Sequence, residues 1–76
     1  MGGSLHLGSL HLGVVTAFDP VRGLGTVTSG DGTATWPFHC TQIADGTRSV
    51  EVARRVAFTV AAGHLGRMEA EQVTKL

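Results

Sequence analysis

The sequence predicts an all-β protein, a small barrel of five short strands. Three observations predict it: β-branched runs broken every six to twelve residues by turn residues, period-two alternation in the apolar stretches, and a length of 76 residues. A flat sheet of this size would leave both edges open to other chains, whereas closure removes them.

The elements follow in order. Val14-Val-Thr-Ala-Phe18 is β-branched and aromatic, and Asp19-Pro20 ends it with a turn signal, which makes the first strand. Residues 24–29 form the second, closed by Gly30-Asp31-Gly32, and residues 33–38 answer across a hairpin as the third. A short helical turn is expected over 39–43 and a polar loop over 44–49. Val56, Phe58 and Val60 alternate in a fourth strand. The stretch 50–55 reads either as a turn of helix or as an irregular approach to it. Residues 62–66 make a turn, and 67–74 a fifth strand, although Met68-Glu-Ala-Glu-Gln alone would favour a helix.

Residues 1–12 stand apart as a leader, and 13–76 form the domain. The leader carries Ser4-Leu-His-Leu-Gly8 followed at once by Ser9-Leu-His-Leu-Gly13, a five-residue duplication too short for a solenoid repeat. It reads as a processing or fusion remnant, or else as an extension of the first strand. His6 and His11 lack the buttressing that metal ligands need.

Composition narrows the function. The single cysteine, Cys40, allows no internal disulfide, and no Cys/His quartet marks a structural zinc, so stability rests on packing and fits a reducing compartment. Six basic residues balance six acidic ones, where a domain living on phosphate contacts shows a basic excess. No apolar run approaches the roughly 20 residues of a membrane span, and no basic n-region opens the chain. The expectation is a soluble, cytoplasmic protein with no membrane partner and no cofactor. Catalysis has little to work with: Gly23-Leu-Gly25 lacks the Gly-Lys-Ser/Thr of a phosphate loop, and His39 and Cys40 point in opposite directions if the strand continues through them. The chain reads as no enzyme.

The functional signal concentrates in Arg22-Gly-Leu-Gly-Thr26. A basic residue and two glycines one position apart suggest a strand that lets another backbone, such as a nucleic acid, come close. Together with Phe18-Asp-Pro-Val-Arg-Gly-Leu-Gly25, the later Phe38-His39 and Ile43, Val56-Ala-Phe-Thr-Val60, Gly63-x-x-Gly66 and Val73-Thr74, this order resembles a cold-shock domain over about residues 13 to 76. The resemblance implies a five-stranded oligonucleotide/oligosaccharide-binding (OB-fold) barrel that binds single-stranded RNA or DNA on the face of its second and third strands.

Departures from that family matter, because stacking contributes about 1 to 3 kcal/mol per base. Leu24, Thr26, Pro37 and Cys40 stand where its two motifs carry aromatic rings, Ala17 replaces a Trp, and Thr47 replaces a loop aromatic. Phe18 and His39 remain as flat rings. Trp36 and Phe38 alternate with the face positions Pro37 and His39, so they point into the barrel. Pro37, without an N–H, belongs at an edge or a bulge. The candidate nucleic-acid-binding residues are therefore Phe18, Arg22, Gly23, Leu24, Gly25, Thr26, Pro37, His39 and Arg48, and weak binding of low sequence specificity is expected. The alternative is a barrel that has lost nucleic-acid binding and uses Leu24, Pro37 and Val14 as an apolar patch for a protein partner or for self-association.

Overall fold

The computed structural model describes residues 10–76, apart from the side chain of His64. The first copy of the duplicated pentapeptide, with His6, lies outside the described residues. Five strands form one antiparallel sheet: β1 (His11–Asp19), β2 (Leu24–Ser29), β3 (Thr35–His39), β4 (Arg55–Ala62) and β5 (Met68–Lys75), in the order β3-β2-β1-β4-β5. The sheet curls until β3 lies beside β5, and Ile43, just past β3, meets Val73 of β5 in a single parallel bridge. The N–H of Ala44 donates to the Val73 carbonyl at 2.8 Å, and this short seam closes the barrel.

β1 is long because it serves two neighbours. Residues 11–14 pair with β4 and residues 13–19 with β2. A bulge between Val15 and Ala17 bends the strand between these tasks, so Thr16 and Ala17 are both exposed while Val15 stays buried. β1 therefore begins at His11, earlier than the expected Val14, and takes in the last two residues of the segment set apart as a leader. The reason is tertiary. A Cβ on Gly13 would sit 2.1 Å from the Thr28 carbonyl oxygen, so the glycine that locally argues against a strand is required by the approach of β2. His11 then stacks on Phe58, with ring centroids 5.5 Å apart, and lies 5.2 Å from the Trp36 ring.

β2 spans the expected residues. β3 starts at Thr35 rather than at residue 33, because Asp31 holds the chain in its turn: its carboxylate accepts from the Ser29 hydroxyl and from the hydroxyl and N–H of Thr33. These bonds hold the Asp31 carboxyl down at about 2, the Ser29 hydroxyl contributing most and then Thr33. The helical turn is a 3-10 turn over Cys40–Gln42. The stretch 50–54 forms no regular element, yet Val50 is buried, and Ala53 and Arg54 bond to the backbone of Val15. Despite its helix-favouring composition, Met68–Lys75 is a strand, since Ala70 and Val73 fill the core while the edge of β4 supplies its hydrogen bonds. Phe38, Phe58, Val15, Val27, Val56 and Val73 are the largest fully buried side chains.

Candidate nucleic-acid interface

The outer surface of β1, β2 and β3 is set by register. One row runs Asp19, Leu24, His39 and the next Ala17, Thr26, Pro37, so residues well apart in sequence stand side by side. With Phe18, Gly25, Phe38 and Glu69 they line a largely apolar open cleft of about 710 Å³. Of the nine residues expected to bind nucleic acid, Phe18, Leu24, Gly25, Thr26, Pro37 and His39 line it, and Arg22, Gly23 and Arg48 do not.

Each wall residue has a local reason for its place. Phe18 is half-buried, its ring stacked on Phe38 at 6.1 Å and 12°, and its other side borders a second groove formed with Pro20 and residues 49–52. It is a ridge between two depressions, braced from below by the core. His39 ends β3 and caps the 3-10 turn: the Thr41 N–H donates to its Nδ1 at 3.2 Å, which puts the ring proton on Nε2. Pro37 pairs only with Thr26 of β2, consistent with an edge position for a residue that has no N–H to give. Leu24 is 46% exposed.

The glycines play a different part from the one expected. Gly23 and Gly25 are buried, and the space they leave is filled from within the chain. A Cβ on Gly25 would come 2.6 Å from the Phe38 ring, and one on Gly23, at a φ of +69°, would meet the Cys40 sulfur at 2.6 Å. Within the fold, the close approach they permit is that of Phe38 and Cys40. The expectation that His39 and Cys40 diverge is also corrected. β3 stops at His39, and the turn brings the Cys40 sulfur to 3.9 Å from His39 Nδ1. Trp36 and Phe38 do point inward, Phe38 fully buried and Trp36 half-buried against Phe58. Val14 does not join Leu24 and Pro37 but lines a separate depression with Leu12 and Leu76.

The electrostatics are local and acidic. Arg22, its side chain 76% exposed on the β1–β2 turn, lies 4.0 Å from the Asp19 carboxylate, which also accepts the N–H groups of Val21 and Arg22. Arg48 sits in the loop at a φ of +61° and lines no part of the cleft. The acidic residues that line the cleft are Asp19 and Glu69, and the Glu69 carboxyl packs over Gly63. Sequence reasoning missed Glu69 as a member of this face, and the only signal for it is the barrel closure that brings β5 beside β3. Thr47, at the position of the lost loop aromatic, is held by Asp45, and its N–H and then its hydroxyl, with Lys75, hold the Asp45 carboxyl down at about 2.

No protein-family model and no curated protein matches the sequence. Among solved structures the chain is similar to one titled "drosophila Unr CSD456", with a TM-score of 0.74 over 91% of this chain and 23% sequence identity. It spans 27% of that chain's length. At that identity the likeness concerns the fold, and the fold of this chain is the five-stranded OB-type barrel of a cold-shock domain.

Proposed function

We propose that the β1–β2–β3 face binds single-stranded RNA or DNA, weakly and with low sequence specificity, by taking bases into the cleft. One observation carries the reading: six residues picked out as nucleic-acid contacts, spread from Phe18 to His39, line one apolar cleft. Phe18 and His39 supply the flat rings, Leu24 and Pro37 an apolar floor, and His39 Nε2–H a donor. Phosphates contribute little, because Arg22 alone of the candidate basic residues borders the face and it already faces Asp19. With one phosphate neutralised, the log of affinity should fall with log salt at a slope of about −0.7, far shallower than for a basic nucleic-acid-binding protein. We propose further that the protein has no catalytic role and works in the cytoplasm, a proposal that rests on its single unpaired cysteine.

The test is a titration with labelled pyrimidine-rich and purine-rich heptanucleotides at low salt, followed by backbone amide shifts. Shifts are expected at Phe18, Leu24, Thr26 and His39, and Arg22→Glu should flatten the salt dependence. Absence of binding to both strands at low salt would end the proposal. The exposure of Leu24 beside Ala17 and Pro37 supports a second reading, an apolar contact with a protein or a second copy. Sedimentation that stays monomeric at rising concentration, with no partner captured by the Leu24 face, argues against it.

A further inference from the structure

His39 is exposed at the end of β3 and lines the cleft, a place where a side chain turns freely unless something holds it. Thr41 holds it twice. Its N–H donates to His39 Nδ1 at 3.2 Å, and its hydroxyl oxygen lies 2.9 Å from the same nitrogen. An Nδ1 that accepts the N–H carries no proton, so the hydroxyl is a second donor to it. The turn that carries Thr41 is itself anchored: the Cys40 N–H donates to the Gly23 carbonyl at 2.7 Å, and Ile43 is buried in the core. Nε2–H, the remaining polar group of the ring, is bonded to no side chain or backbone group among the described residues.

We infer that Thr41 is a positioning residue for the cleft: it fixes His39 in one pose and one tautomer, and only the neutral ring fits that hold. The inference rests on the single-strand reading above. A ring ordered before a base arrives gives up less freedom on binding than one that must be ordered by it. A second proton would go to Nδ1, opposite the Thr41 N–H, and two donors cannot share one bond. The charged groups near the ring are Asp19, which ends the same cross-strand row on β1, Arg22 beside it, and Glu69 of β5, while the Cys40 sulfur lies 3.9 Å from Nδ1. Neither carboxylate hydrogen-bonds the ring, so neither replaces the lost cap. Acid therefore turns His39 out of its cap, and the cleft loses a ring that a base would lie against.

The test titrates the full chain with heptathymidine and with heptadeoxyadenosine between about pH 7.5 and about pH 5 at constant low salt. Neither base titrates in this range, whereas imidazole does. The ring nitrogens are followed by long-range proton–nitrogen spectra. In the unaltered protein the ring should carry its proton on Nε2 alone at the upper pH, and affinity should fall about tenfold at the lower one. His39→Phe, flat and without a titrating group, should bind with an affinity that pH leaves unchanged, which separates His39 from the other histidines. Thr41→Val should give mixed ring tautomers and bind about threefold more weakly at the upper pH, and Thr41→Ser should restore both. Affinity that holds or rises in acid overturns the inference, since a charged ring would then serve the cleft by attracting phosphate. A ring with its proton on Nδ1 overturns it too, as does a Thr41→Val variant with unchanged ring spectrum and affinity. In each of these cases a strand still binds and the single-strand reading stands. Failure of both strands to bind at either pH removes both readings.

Discussion

Two ends of the same three-stranded surface differ sharply. Toward the β2–β3 hairpin the surface carries threonines that pair with one another: Thr16 lies 2.9 Å from Thr26 and 3.2 Å from Thr28, and Thr28 lies 2.9 Å from Thr35, oxygen to oxygen, with Thr26 at the boundary where it also lines the cleft. Toward the β1–β2 turn the surface carries Phe18, Leu24, Pro37 and His39 around a cleft. Both ends share a sheet and a register. The hydroxyl end pairs its side chains with one another, while the cleft end keeps apolar surface in contact with solvent. Function is read from groups the fold leaves without partners, and stability from groups it pairs.

Substitutions can break that contrast at its strongest point first. Phe38 underlies the cleft and is 2% exposed, so Phe38→Ala should cost about 3 to 5 kcal/mol in urea unfolding and abolish binding by loss of the domain. Phe18→Ala should separate the two roles. It removes a stacking ring worth about 1 to 3 kcal/mol of oligonucleotide affinity. Its loss of stability should be smaller than that of Phe38→Ala, about 0.5 to 1.5 kcal/mol for the ring pair plus the transfer term of a half-buried side chain. A variant that loses stability but keeps affinity would show Phe18 to be core alone.

At the threonine end the expectation reverses. Thr28→Val removes a hydroxyl shared by Thr16 and Thr35 and should cost about 1 kcal/mol of stability with oligonucleotide affinity unchanged. A clear fall in affinity would extend the binding surface along the whole strand pair. The smallest effect is in acid. Asp31, held at about 2 from an ordinary 3.8, stabilises the hairpin above about pH 3.8, and that stabilisation fades as the pH falls toward 2. Asp31→Asn should lower Tm at neutral pH and make it less sensitive to acid over that window, while cleft binding at neutral pH is unaffected.

The strands and turns were legible where the signal is local. Asp19-Pro20 and Gly30-Asp31-Gly32 stop the chain by their own backbone chemistry, and the β-branched run between them yields β2 at its observed bounds. Alternation along β3 separates Phe38, inside, from Pro37 and His39, outside. That places Leu24, Thr26, Pro37 and His39 on the outer surface, whereas Phe18 and Gly25 share the row of inward Phe38 and reach the cleft from beneath it. Arg48 could not be placed the same way, because a loop residue has no register to carry it to the face.

What tertiary structure alone decided are the encounters between segments far apart in sequence. Gly13 reads as a break until β2 presses against it, and His11 reads as part of a leader until Phe58 and Trp36 receive its ring. Gly23 and Gly25 read as openings for a ligand, and the folded chain shows that they also make room for Cys40 and Phe38. Glu69 looks like one more solvated charge until the curl of the sheet sets β5 beside β3 and makes it a lining residue of the cleft. Periodicity and turn chemistry are properties of neighbouring residues and can be read along the chain. Closure depends on how five strands twist and meet, and only the folded barrel decides which surfaces then share a cleft.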